Sequence, residues 1–177
     1  MEKIYTKKDQ MFSFREIKGK EVFTQNGESK VGIVEDVMIV PHLLEVAAIV
    51  TDQSTAVVRN MQMIPSVEVE SWGKDTISVT GAEVIKSGSE LPDCEQWMCV
   101  SGQLLGQGVV NMSGTLLGNL DDVFFDKQGR LTGYKINIPG GSQEDMTEEL
   151  TQNGGFIPVA ATHSIGTKRT TINRSKL

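Results

Sequence analysis

The feature that most constrains this chain is internal repetition. Gly19-Lys20-Glu21-Val22, Asn26-Gly27, the run from Val31 to Val37 and Ile64-Pro65 recur as Gly106-Gln107-Gly108-Val109, Ser113-Gly114, the run from Leu117 to Val123 and Ile157-Pro158. The offset is 87 at Gly19/Gly106 and Gly27/Gly114, 86 at Gly32/Gly118 and Asp36/Asp122, and 93 at Pro65/Pro158. A chain of 177 residues that repeats at this spacing is built from two copies of one unit. The second copy gains about seven residues, all in one loop.

Each copy reads as strands. Val31 to Val40 has apolar residues on both parities, the mark of a strand covered on both faces. Asn26-Gly27 is a hairpin signal, because both residue types tolerate positive φ. Val46–Thr51 and Thr55–Arg59, around Asp52-Gln53-Ser54, form a second expected hairpin, and Ile64-Pro65 ends pairing because proline has no N–H. Val67–Trp72 is expected to make one helical turn and Thr76–Val79 a last strand. In the second copy Leu116–Phe125 is the long strand and Leu131–Ile138 the returning one. Gly81 to Cys94 has linker composition, which places a boundary near Leu91. The expectation is an all-β chain of two small barrels in tandem, residues 1–90 and 91–177. Units of about 70–80 residues bury marginal cores, so the two are expected to support one another by packing.

The pattern Gly-Lys-x-Val, Asn-Gly, Gly-x-Val-x-Asp-Val-Met-Ile and a later Ile-Pro resembles the PRC-barrel family. The resemblance rests on Gly19, Val22, Gly27, Gly32, Asp36, Val37 and Pro65, and again on Gly106, Val109, Gly114, Gly118, Asp122, Val123 and Pro158. That family's small β-barrels occur in the cytoplasmic part of the photosynthetic reaction-centre H subunit and at the C-terminus of a ribosome-maturation factor. As a tandem, the chain looks like two-barrel PRC proteins of Gram-positive bacteria. The resemblance implies the fold and a habit of docking onto other macromolecules.

Charge excludes a general nucleic-acid coat. Seventeen Lys+Arg against 23 Asp+Glu give a net charge of −6, the wrong field for unspecific phosphate binding. Its distribution is uneven: residues 1–30 carry +2, residues 167–177 carry +4 and the body between carries −12. The longest apolar stretch, Val31 to Val50, is interrupted by Glu35, Asp36, Pro41, His42 and Glu45, so no transmembrane segment is expected. Met1 to Lys20 has no apolar signal core. The expected location is the cytoplasm.

Candidate chemistry is sparse. The glycines fit hairpins rather than a phosphate-binding loop. Asp36 and Asp122 occupy matching positions, and the expectation is that each accepts backbone N–H bonds and holds a neighbouring turn. Cys94 and Cys99 lack Cys-x-x-Cys spacing, and His42 and His163 fall at non-equivalent places in the two copies, so neither a metal site nor any other cofactor is expected. The candidate partner contacts are Trp72 and Trp97, large indoles in a chain with 6% aromatic residues, together with Glu144, Asp145, Glu148 and Glu149 in the 139–155 loop. These readings lead to a non-catalytic adaptor or scaffold that binds a partner protein. The alternative is an RNA-processing or ribosome-maturation-associated factor, favoured by Lys168, Arg169, Arg174 and Lys176. The oligomeric state is left open.

Overall fold

The computed structural model describes residues 11–73, 75–138, 150 and 153–177. The described residues open with β1 (Met11–Ser13) and the single turn α1 (Phe14–Ile17). The first copy follows as β2 (Glu21–Thr24), β3 (Lys30–Ile33), β4 (Asp36–Val40), β5 (Glu45–Asp52), β6 (Gln62–Pro65), β7 (Val69–Trp72) and β8 (Thr76–Val79). The connection carries β9 (Lys86–Ser87) and β10 (Met98–Cys99). The second copy is β11 (Gly108–Asn111), β12 (Leu116–Asp126), β13 (Leu131–Asn137), β14 (Phe156–Pro158), β15 (Thr162–Ile165) and β16 (Arg169–Ile172). The all-β class holds.

Apart from β6–β9, the pairings within the first copy have counterparts in the second. Strands β2 and β8 run parallel, as do β11 and β16; β4–β5–β6 form an antiparallel meander, as do β12–β13–β14. The hairpin glycines are equivalent too, with φ of 71° at Gly27 and 82° at Gly114, values that L side chains adopt only with strain. The sheets are open rather than closed. In the first copy they are two, β3-β2-β8-β7 and β10-β4-β5-β6-β9, whereas the second copy forms one, β14-β13-β12-β11-β16-β15. The difference lies in one bend. At Val34 and Glu35 the chain changes neighbour: Val34 N–H donates to Lys20 O and Glu35 N–H to Val50 O, which splits the expected Val31–Val40 strand into β3 and β4. In β12 the same change is absorbed by a bulge between Leu120 and Asp122, which bends a strand without ending it.

The copies are interlocked. β1, at the start of the first half, pairs with β12 of the second, with Phe12 opposite Phe125. β10, beyond the expected boundary, pairs with β4 of the first, with Cys99 opposite Met38. Between them Glu45 and Arg130 form a third bridge: Val46 N–H donates to Gly129 O and Leu131 N–H to Leu44 O. One continuous apolar core therefore runs through both copies, joining Val22, Val37, Ile49, Ile64 and Val79 to Val109, Val123, Tyr134, Ile157 and Ile172. A fully buried side chain of this size contributes about 1.5–3 kcal/mol, and sharing the core answers the small-unit problem that the repeat length poses.

Three local expectations are corrected. Thr55–Arg59 is not a strand: Ser54 N–H donates to the Asp52 carboxylate and Val57 N–H to the Thr55 hydroxyl, so side chains supply a turn in place of ladder partners. The partner of β5 is β6 instead. Val67–Trp72 is mainly strand, with a 3₁₀ turn at Ser66–Glu68 preceding β7. The Gly81–Cys94 connection is folded, with 3₁₀ turns at Ala82–Val84 and Gly88–Glu90 and with β9 paired to β6.

Candidate functional site

Asp36 and Asp122 are the carboxylates that the repeat places at equivalent positions. Both are buried, at 0% and 6% exposure. Each accepts the N–H of the following residue at 2.8 Å, from Val37 and from Val123. Apart from Gln53, the remaining partners come from the other copy. Asp36 Oδ1 accepts Ser101 N–H at 3.0 Å, and its Oδ2 accepts the Ser101 hydroxyl and the Gln53 amide. Asp122 Oδ1 accepts Arg15 N–H at 3.2 Å. Burial raises the Asp122 carboxyl above its ordinary value, opposed by the Val123, Ser13 and Arg15 hydrogen bonds. The expectation that these aspartates hold a turn is met, and the turn held belongs to the opposite copy. Carboxylates engaged in this way stitch the two units together.

A PRC-barrel domain model matches residues 9–81 and again residues 101–176. The chain belongs to the PRC-barrel family. A search of curated proteins found no match.

Where the connection packs on the first PRC copy, the sulfur chemistry is enclosed. Cys99 Sγ lies 3.1 Å from Met38 Sδ and accepts from the Gln53 amide at 3.7 Å. Burial and the neighbouring Asp36 charge push its thiol up to about 11, which leaves almost no thiolate at neutral pH. Burial also raises the Cys94 thiol. The histidines do converge, contrary to their separation in sequence. His42 and His163 line one cavity of about 400 Å³, with Pro41, Leu44, Gln96 and Ile165, where the two copies meet. Among the described residues no group of three metal-ligating side chains accompanies them.

The sequence-predicted contacts divide. Trp72 is 7% exposed and stands edge-on to Phe125 of the second copy at 5.0 Å. It is a packing element between the copies rather than an exposed anchor, because Phe125, which β12 sets opposite Phe12 of β1, packs against its ring. Trp97 is half-buried and lies over an apolar cluster of Met38, Ala48, Val50, Met61, Met63 and Cys99. Glu144, Asp145, Glu148 and Glu149 lie outside the described residues. Lys168 and Arg169 are exposed, on and beside β16.

The surface that the sequence reading missed is the outer face of the second PRC meander. Matching the pairings of β4–β5–β6 to those of β12–β13–β14 sets Met38 against Phe124, Ala48 against Gly133, Val50 against Lys135 and Met63 against Phe156. In the first copy Met38 and Met63 are fully buried beneath Leu91 and Trp97. In the second, Phe124 and Phe156 stay half-buried, stacked edge-to-face at 5.6 Å, and Lys135 is exposed. Gly133 makes room for this pair, since a Cβ there would lie 2.4 Å from the Phe156 ring. Aligning the copies strand by strand would have shown the methionine-to-phenylalanine exchanges; the folded cover over the first copy had no motif to announce it.

Proposed function

We propose that this chain is a non-catalytic cytoplasmic adaptor or scaffold that binds a partner protein through the surfaces of its PRC copies. The PRC barrel is a protein-interaction fold. The observation that carries the reading is the distribution of chemistry between inside and outside. The repeated carboxylates are turned inward and used on the opposite copy's backbone. The outer faces of the two meanders, by contrast, have diverged in residue size, charge and burial. Divergence on a surface over a preserved frame is the pattern of a scaffold that closes one face with its own chain and keeps the other for recognition. Among the described residues no helix is long and apolar enough to cross a membrane.

The alternative, an RNA-processing or ribosome-maturation-associated factor, draws on the exposed Lys168 and Arg169. One experiment separates the two. The full chain, cross-linked in a native lysate and recovered at low and high salt with and without nuclease, is expected to retain a specific protein partner in all four conditions. Partners lost on nuclease treatment, and steeply with salt, would transfer the function to RNA.

A further inference from the structure

The first copy shows what its outer meander face takes. Residues 86–97 lie across β4–β5–β6 with Leu91 and Trp97 on the Met38–Met63 cluster. The segment is pinned at its polar points: Ser87 Oγ–H donates to Arg59 O at 2.8 Å, Gly88 N–H to Met61 O at 2.9 Å, and Arg59 pairs with Glu95 at 2.6 Å. Gly88 approaches so closely that a Cβ would lie 2.1 Å from Val58 O. The segment is acidic around its anchors, with Glu90, Asp93 and Glu95 beside Leu91 and Trp97.

The second copy has the same strands, the same register and a larger aromatic platform, yet no buried apolar cluster forms over Phe124 and Phe156 among the described residues. Where Val50 is buried in the first copy, Lys135 is exposed in the second, opposite Phe156 on β14. Two half-covered rings beside an ammonium suit apolar anchors next to a carboxylate.

From this we infer that the outer face of β12–β13–β14, centred on Phe124, Gly133, Lys135 and Phe156, is a docking site for an extended acidic segment of a partner protein. That segment carries two bulky apolar anchors and lies across the strands as residues 86–97 lie across the first copy. The inference deepens the adaptor reading and rests on it.

The probe is a labelled peptide with the sequence of residues 84–98, carrying C94S, titrated into the full chain. The chain's own copy of this sequence occupies the first face, so the peptide reports on the second. Saturable binding below about 1 mM is expected, with amide shifts at residues 124, 133–135 and 156. Phe124→Thr with Phe156→Thr is expected to weaken it about tenfold or more. Phe124→Met with Phe156→Met should retain it. Lys135→Glu, at an exposed position that leaves folding intact, should weaken it several-fold and more so at low salt. Absence of saturable binding, or binding that neither Phe124→Thr with Phe156→Thr nor Lys135→Glu alters, would overturn the inference. So would nuclear Overhauser contacts from either ring to residues 1–10 of the same molecule, which would assign the face to the chain's own start. If a partner captured by the full chain is held equally well by the Lys135→Glu protein, the adaptor reading stands and this face falls.

Discussion

In the first copy the outer face of β4, β5 and β6 is closed by the chain that follows; in the second the corresponding face ends in two half-buried rings and a lysine. The two entrance turns differ as well. In α1, Lys18 N–H donates to Phe14 O, four residues back, whereas Leu105 N–H donates to Val100 O, five back, so Val100–Leu104 is a π turn. The inner frame is nevertheless the same, down to the aspartate that accepts the opposite turn's backbone. Duplication has thus kept the aspartate by which each copy grips the other, while the length of the gripped turn and the cover over the outer face have diverged.

The strongest way to break this comparison is to remove one side of it. Residues 91–177 expressed alone lose β1, α1 and half of the shared core, and β10 loses β4. The expected result is no cooperative unfolding of a monomer by calorimetry. A folded monomer in sedimentation with a sharp transition would show that the interlock is decoration. Within the intact chain, Asp36→Ala strands the half-buried Ser101 and Gln53 donors and the buried Val37 N–H, and should cost about 3 kcal/mol or more in denaturant unfolding. Asp122→Ala, with fewer donors, should cost about 1–2 kcal/mol. Equal costs would contradict the asymmetry read from the hydrogen bonds.

Much of the fold was legible because its determinants are local and repeated. Gly27 and Gly114 announce the same hairpin, and the parity of Val31 to Val40 announces strand. Even the offsets had structural content. The pairing of β1 and β10 sets Phe12 against Met98, an offset of 86, while Ile17 and Leu104 stand 87 apart; the added residue is what widens the α turn into a π turn. What stayed hidden was anything that depends on which copy a segment joins. Met11–Ser13 and Met98–Cys99 are too short to specify a partner strand, and nothing local tells Asp36 that its donor is Ser101. The Gly81–Cys94 stretch read as linker from its glycine, proline and polar residues, yet the same residues fold down because Leu91 and Trp97 have an apolar face to cover. Trp72 misled for the complementary reason: its neighbour Phe125 lies in the other copy.

The hairpin glycines test the preserved part of the comparison. Nothing lies within 4 Å of a Cβ built at Gly27 or Gly114, so valine there meets backbone strain and no clash. Gly27→Val and Gly114→Val should each cost about 1–2 kcal/mol, and the two costs should agree within about half a kcal/mol. A large disparity, measured by urea unfolding, would mean that the hairpins are not equivalent. The π turn tests the divergent part. Cys99 N–H donates to Gln103 Oε1 four residues on, where Ser13 N–H donates to Glu16 Oε2 three residues on. Deleting Gly102 restores the three-residue spacing of a capping box. The shortened chain should fold within about 1 kcal/mol of the parent and show an α turn by NMR. Collapse of stability would mean that the extra residue is needed where it stands.

The smallest effect is a dependence on pH, and Asp122 supplies it. Burial raises its carboxyl in the folded chain above the ordinary 3.8, so between the two values the folded state holds a proton that the unfolded state has released. Stability from this group is fully present below the unfolded value and is lost as pH rises through the folded one. Asp122→Asn keeps an oxygen for the Val123 and Arg15 N–H groups and removes the titration. The stability difference between parent and variant should therefore move in favour of the parent as pH falls from neutrality towards 3.8, and flatten below it. Paired urea titrations across that range measure it without interference from the other carboxylates, which both proteins share. A difference that moves the other way would mean that the hydrogen bonds from Val123, Ser13 and Arg15 outweigh burial at this joint, and that the second copy's aspartate is held as a charge.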